Sequence, residues 1–176
     1  MKSYAGIGSR QTPRPILLNM TLFAETLSRS YILRTGGASG ADSAFLEGVK
    51  RTGSENFEVY IPQNNFNGHR VSESLNITDY IPQEAYEMAR KFHPKFDRLG
   101  EYAKKLMARN SLQVFGKRMD DPVEFIICYT SDGKASGGTG QALRIAEHYD
   151  ITAYNLHNVD DFKYVKEMVN GPRAVG

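Results

Sequence analysis

Two glycine-rich segments mark places where the backbone itself can bind a ligand. In Thr35-Gly36-Gly37-Ala38-Ser39-Gly40-Ala41-Asp42, three glycines stand between a short apolar run and a helical pattern. That order reads as strand, turn and helix N-terminus. Glycine admits positive φ and leaves N–H groups unshielded by a Cβ, while the first turn of a helix carries unpaired donors and partial positive charge. An anion suits such a place, most often a phosphate. Ser136-Gly137-Gly138-Thr139-Gly140 repeats the arrangement after another apolar stretch.

Further polar groups belong with these turns. Gly8, Ser9 and Arg10 follow the first apolar run, and the Arg10 guanidinium suits bidentate phosphate contact. Asp42, in the first turn of its helix, either complements the helix N-terminus or holds ribose hydroxyls. Ser39, Ser136 and Thr139 are candidate helix caps as well as ligand contacts. Arg109 near a helix end offsets the dipole, and Asn110 either ends that helix or meets a base. His69, His93, His148 and His157 have no ligand spacing, so no metal site is expected. Cys128 lies in the most apolar stretch and reads as a buried, inert thiol.

These residues need strands and helices to place them. The pattern predicts strands at residues 2–7, 31–35, 57–61, 123–129 and 151–155, the fourth nearly continuous in apolar residues, as in a strand covered on both faces. Ile16, Met20, Phe23 and Leu27 share a helix face, as do Ala41, Phe45 and Val49, and Gly53 closes the second helix. From Gly68 to Tyr80 the pattern is irregular. A helical region resumes at Gln83, breaks at Pro94, and continues with Phe96, Leu99, Ala103, Leu106 and Asn110 on one face. Helices follow at 139–148 and around Phe162, Val165 and Val169. Strands alternating with helices predict an α/β fold, a mostly parallel sheet with helices on both faces in a single domain. The turns at Gly8 to Arg10, Gly36 to Asp42, Gln63 to Gly68 and Ser136 to Gly140 then open on the carboxyl edge of the sheet, where ligands bind.

The 176 residues, 40% hydrophobic, suffice for one core without disulfides or a structural metal. A net charge of +2 is low for a duplex DNA-binding module. One cysteine excludes an internal disulfide and fits a reducing compartment. No apolar run approaches membrane-spanning length, and the N-terminus lacks a signal-peptide core, so a cytoplasmic protein is expected, with no membrane partner. The dinucleotide fingerprint and the Lys-Ser or Lys-Thr of a kinase-type phosphate loop are both absent.

Taken together, Tyr4-Ala5-Gly6-Ile7-Gly8-Ser9-Arg10, the turn from Thr35 to Asp42, Ala108-Arg109-Asn110, and Ser136-Gly137-Gly138-Thr139-Gly140-Gln141-Ala142 resemble the SLOG superfamily of Rossmann-like proteins. That superfamily includes DprA, the Lonely Guy nucleotide hydrolases and several nucleotide-signal sensors, and the likeness here is strongest to the DprA core. The resemblance implies a nucleotide ligand held by the residues named above. It also implies a homo-oligomer, and a phage source fits a stand-alone domain of this type. Lonely Guy enzymes carry two glutamates where this chain has Leu143 and Arg144, so the carboxylates of N-glycoside hydrolysis are missing and no catalytic residue is assigned.

Three functions follow. The first is capture of a nucleotide or nucleotide-derived signal, for sensing or sequestration, without a further cofactor. The second is DprA-like binding of single-stranded DNA in recombination, with Lys104, Lys105, Arg109, Lys117 and Arg118 as a basic track. The third is N-glycoside hydrolysis with Asp42, Glu47 or Asp132 as a substitute acid.

Overall fold

The computed structural model describes residues 1–171 as one α/β domain built on a six-stranded, all-parallel sheet. Five strands lie where the apolar runs place them: β1 (Lys2–Gly6), β2 (Tyr31–Thr35), β3 (Phe57–Tyr60), β5 (Phe125–Cys128) and β6 (Thr152–Asn155). The sixth, β4 (Ile77–Thr78), falls in the segment expected to be irregular. It pairs with β3 at Val59 and Tyr60, and its short ladder is completed by Val59 N–H to Asn76 O and Ile61 N–H to Thr78 O, each 2.9 Å.

The helices are α1 (Arg14–Leu27), α2 (Ala41–Arg51), α3 (Gln83–Phe92), α4 (Glu101–Phe115), α5 (Gly137–His148) and α6 (Val159–Asn170). Pro94 separates α3 from α4, as the sequence implies, but Phe96 belongs to a single 3-10 turn (Phe96–Arg98) and Leu99 to its extended exit. The helix face read from Phe96 onward therefore starts only at Glu101.

Alternation along the strands sorts the core. Tyr4, Leu33, Phe125 and Ile127 point to the side covered by α1, α2 and α6, where Met20, Phe23, Phe45, Val49 and Val165 bury against them. Ala5, Ile126 and Cys128 point to the opposite side, against Ala142, Ile145 and Ala146 of α5. Tyr60 packs on that same side against Ala85 of α3 and Ala108 and Leu112 of α4.

The strand order β4-β3-β2-β1-β5-β6 places β1 at the centre. The chain winds outward from β1 to β4, recrosses through α3 and α4, and resumes on the other side of β1 with β5. Connections leave β1 and β5 in opposite directions, which opens a crevice at their carboxyl ends.

Candidate functional site

That crevice holds a cavity of about 340 Å3. Gly8, Ser9 and Arg10 after β1 form one wall, and Ala38 and Asp42 come from the turn into α2. Arg109 and Asn110 reach in from α4, and Ser136, Gly137, Gly138 and Thr139 close the far side. Eleven of the residues singled out from sequence thus meet in one cavity. Leu106, Met107 and Gln113 of α4, Ile7, and Thr130 and Ser131 after β5 also line it, and the sequence did not mark them as site residues. Because the cavity faces the middle of α4, that helix had to contribute on several turns, which the polar run Arg109-Asn110-Ser111 and Gln113 inside a buried helix signals.

The two glycine-rich turns play different parts. At and before the start of α2 several donors are already occupied: Ala41 N–H meets Ser9 O at 3.4 Å, Ser43 N–H meets Ala38 O at 3.1 Å, and Ala38 N–H meets Asp42 Oδ2 at 3.2 Å. Gly36 and Gly37 are buried behind the cavity rather than in it. A Cβ on Gly36 would collide with the Arg109 guanidinium, so this glycine is required by a side chain and not by a ligand. Gly40, at φ 85°, rests on the backbone of Ser9 and Arg10. Ser39 is exposed outside the cavity. The loop from Gln63 to Gly68 backs this turn, with Asn67 Nδ2 donating to Gly37 O at 3.1 Å and the Phe66 ring 5.9 Å from the Arg109 guanidinium carbon.

At α5 the donors are open. No side chain among the described residues caps the helix, and Ser136 Oγ instead donates to Asp132 Oδ1 at 2.7 Å. The first intrahelical bond is Gly140 N–H to Ser136 O at 2.9 Å, so the N–H groups of Gly137, Gly138 and Thr139 precede it at the cavity wall. Gly140 itself is buried one step further in.

Asp42 and Arg109 form the floor. Asp42 is 3% exposed and Arg109 7%. Burial raises the Asp42 carboxyl, opposed by Arg109 and by the N–H groups of Ala38, Gly36 and Gly8. Burial also lowers the Arg109 guanidinium, opposed by Asp42, while nearby Arg10 adds to the lowering. Arg109 sits six residues before the end of α4, too far inside to offset its dipole. It donates through Nη1 to Gly36 O at 2.5 Å and through Nη2 to Asn110 Oδ1 at 3.1 Å, and its Nε has no partner among the described residues. Asn110 does not end α4; its Nδ2 donates to Gly138 O at 3.0 Å and ties α4 to the start of α5.

Arg10 is exposed at the rim. Of the cations expected to form a basic track, Lys105 is exposed on α4 and Arg109 is buried. Lys104 pairs with Glu101 at 3.0 Å and Arg118 with Asp120 at 3.4 Å. Lys104 lies in the first turn of α4 and Lys117 beyond its end at Phe115, roughly 17 Å of helix later at about 1.5 Å per residue, and Arg109 between them faces inward. Of the substitute acids, Glu47 pairs with Arg51 at 3.0 Å on α2 and Asp132 with Ser136, and Asp42 alone lines the cavity.

Cys128 is buried, with its thiol pushed up to about 12 by desolvation. Among the described residues no group of three or more His, Cys, Asp or Glu is arranged to hold a metal, and no helix is long and apolar enough to cross a membrane. No protein-family model, curated protein or solved structure matches the chain.

Proposed function

We propose that the cavity captures a phosphate-bearing nucleotide or nucleotide-derived molecule, for sensing or sequestration. One observation carries this reading: three backbone N–H groups at the start of α5, ahead of its first intrahelical bond, line the same cavity as Arg10 and the partly unpartnered Arg109 guanidinium. Donors fixed on a helix terminus need no reorganisation to receive an anion, and the aligned helix dipole favours negative charge there. Ile7, Leu106 and Met107 supply an apolar wall for the rest of the ligand. The volume of about 340 Å3 lies at the small end of ligand sites, the range of a mononucleotide.

Titration calorimetry with adenosine monophosphate tests the reading. Arg10→Ala removes a charge-assisted hydrogen bond worth about 1.5–3 kcal/mol, so affinity is expected to fall about tenfold to a hundredfold. Because Arg10 is exposed and forms no ion pair among the described residues, stability should stay unchanged. Equal affinity in wild type and variant refutes the assignment.

A further inference from the structure

Arg144 stands where the family resemblance leads one to look for a carboxylate, yet it does not line the cavity. Its guanidinium turns away and donates to two backbone carbonyls. Nε meets Phe92 O, at the C-terminus of α3, at 2.8 Å, and Nη1 meets Ala135 O at 3.1 Å. Ala135 immediately precedes Ser136, the residue before α5, so the second bond grips the chain at the entrance to the anion-facing turn.

Gly140, one helical turn before Arg144, makes this grip possible. A Cβ at position 140 would collide with the Ala135 carbonyl oxygen and would also lie 3.2 Å from Arg144 Nη1. Only a bare backbone lets that carbonyl settle on the helix flank where the guanidinium receives it. Three further bonds hold the same segment from other directions: Asp132 accepts Lys134 N–H at 3.0 Å and Ser136 Oγ–H at 2.7 Å, and Asn110 holds Gly138 O. With Ala135 O held by Arg144 and Gly138 O by Asn110, the segment that carries the N–H groups of Gly137, Gly138 and Thr139 is restrained at the cavity wall.

We infer that Arg144, acting through Gly140 and the Ala135 carbonyl, is a positioning residue that presents the α5 backbone donors to an anion. This rests on the binding reading above and extends it to residues that touch no ligand. Leu143 beside it is absorbed by the core, packed against the β5 and α5 cluster, so neither position contributes a carboxylate to the cavity.

The test is an amide-resolved NMR titration of the isotope-labelled full chain with adenosine monophosphate, following Gly137, Gly138 and Thr139, alongside thermal melting. In Arg144→Met these amides should move already in the free protein, and affinity should fall about tenfold. Arg144→Lys, which keeps one of the two carbonyl bonds, should recover part of that loss. Gly140→Ala, which favours the helix on propensity, should nonetheless lower affinity by displacing the Ala135 carbonyl. If Arg144→Met does not fold, Gly140→Ala carries the test. Affinities within twofold of wild type in the folded variants, whatever their melting temperatures, overturn the positioning role. Wild-type amides that ignore adenosine monophosphate overturn the binding reading, and this inference with it.

Discussion

The buried pair of Asp42 and Arg109 permits a quantitative test of how the site is held together. Arg109→Met fills similar length with apolar atoms but strands a carboxylate that is 3% exposed. Arg109 and Asp42 act on each other through charge without a direct ion pair, so losing Arg109 removes that compensation together with its bond to Gly36 O, at a cost of about 1.5–3 kcal/mol. The Ala38 N–H, at 3.2 Å from Asp42 Oδ2, softens that loss. The pH dependence gives the signature. The folded-state Asp42 carboxyl is already raised by burial, and loss of Arg109, which lowers it, raises it further. A native state that binds a proton more tightly than the unfolded chain loses stability as pH rises from the unfolded carboxyl value of about 3.9 through the folded one. Urea denaturation at pH 5 and pH 8 should therefore show a larger deficit for Arg109→Met at pH 8. Asp42→Asn in the same chain retains an acceptor for Ala38 N–H and removes the stranded charge, so the double variant should recover about 0.5–1.5 kcal/mol relative to additivity. A deficit under about 1 kcal/mol that is independent of pH, with additive single changes, would refute the reasoning.

Two other perturbations probe the frame. Arg34, 3% exposed on β2, binds the Glu58 carboxylate at 2.8 Å and both the carboxylate and the carbonyl of Asp121, so it anchors the chain between α4 and β5 to the sheet. Since Glu58 and Asp121 can hydrate once freed, Arg34→Met should cost about 1.5–3 kcal/mol in urea denaturation, and a neutral result would dismiss the anchor. Cys128, with its thiol pushed up to about 12, should resist a disulfide reagent at pH 8 until denaturant is added; rapid labelling of the native chain would contradict its burial.

The fold was legible where single segments carry their own signal. Apolar runs bounded by turn formers located β1, β2, β3, β5 and β6, and helical spacing located the buried faces of α1, α2 and α6. β4 has two residues and no period to detect, and its existence depends on the edge of β3. The roles of the site residues were less legible, because each depends on a distant partner. Arg109 is 73 residues from the Gly36 carbonyl it binds, and Asn110 is 28 from Gly138. Nothing local distinguishes a glycine that admits a ligand from Gly36, which admits a guanidinium. The Arg34 network was invisible for the same reason, with Asp121 lying 87 residues away.

The asymmetry between the two helix termini explains how one cavity can be both rigid and receptive. Two termini aimed at one crevice look, in sequence, like two halves of a phosphate site. In the fold, the α2 terminus turns its donors on its own neighbours, Ser9 O, Ala38 O and Asp42, and welds the turns after β1 and β2 into a single block around the Arg109 guanidinium. The α5 terminus has its carbonyls restrained, by Asn110 at Gly138 and by Arg144 at Ala135, and its first N–H groups left at the cavity wall. Donors satisfied inside the protein contribute to stability, and donors left facing a cavity contribute only when a ligand arrives. Substitutions on the α2 side should consequently move the unfolding transition first. Substitutions that disturb the α5 side should move affinity first, because the bonds they alter orient donors for a ligand and bury little of the core.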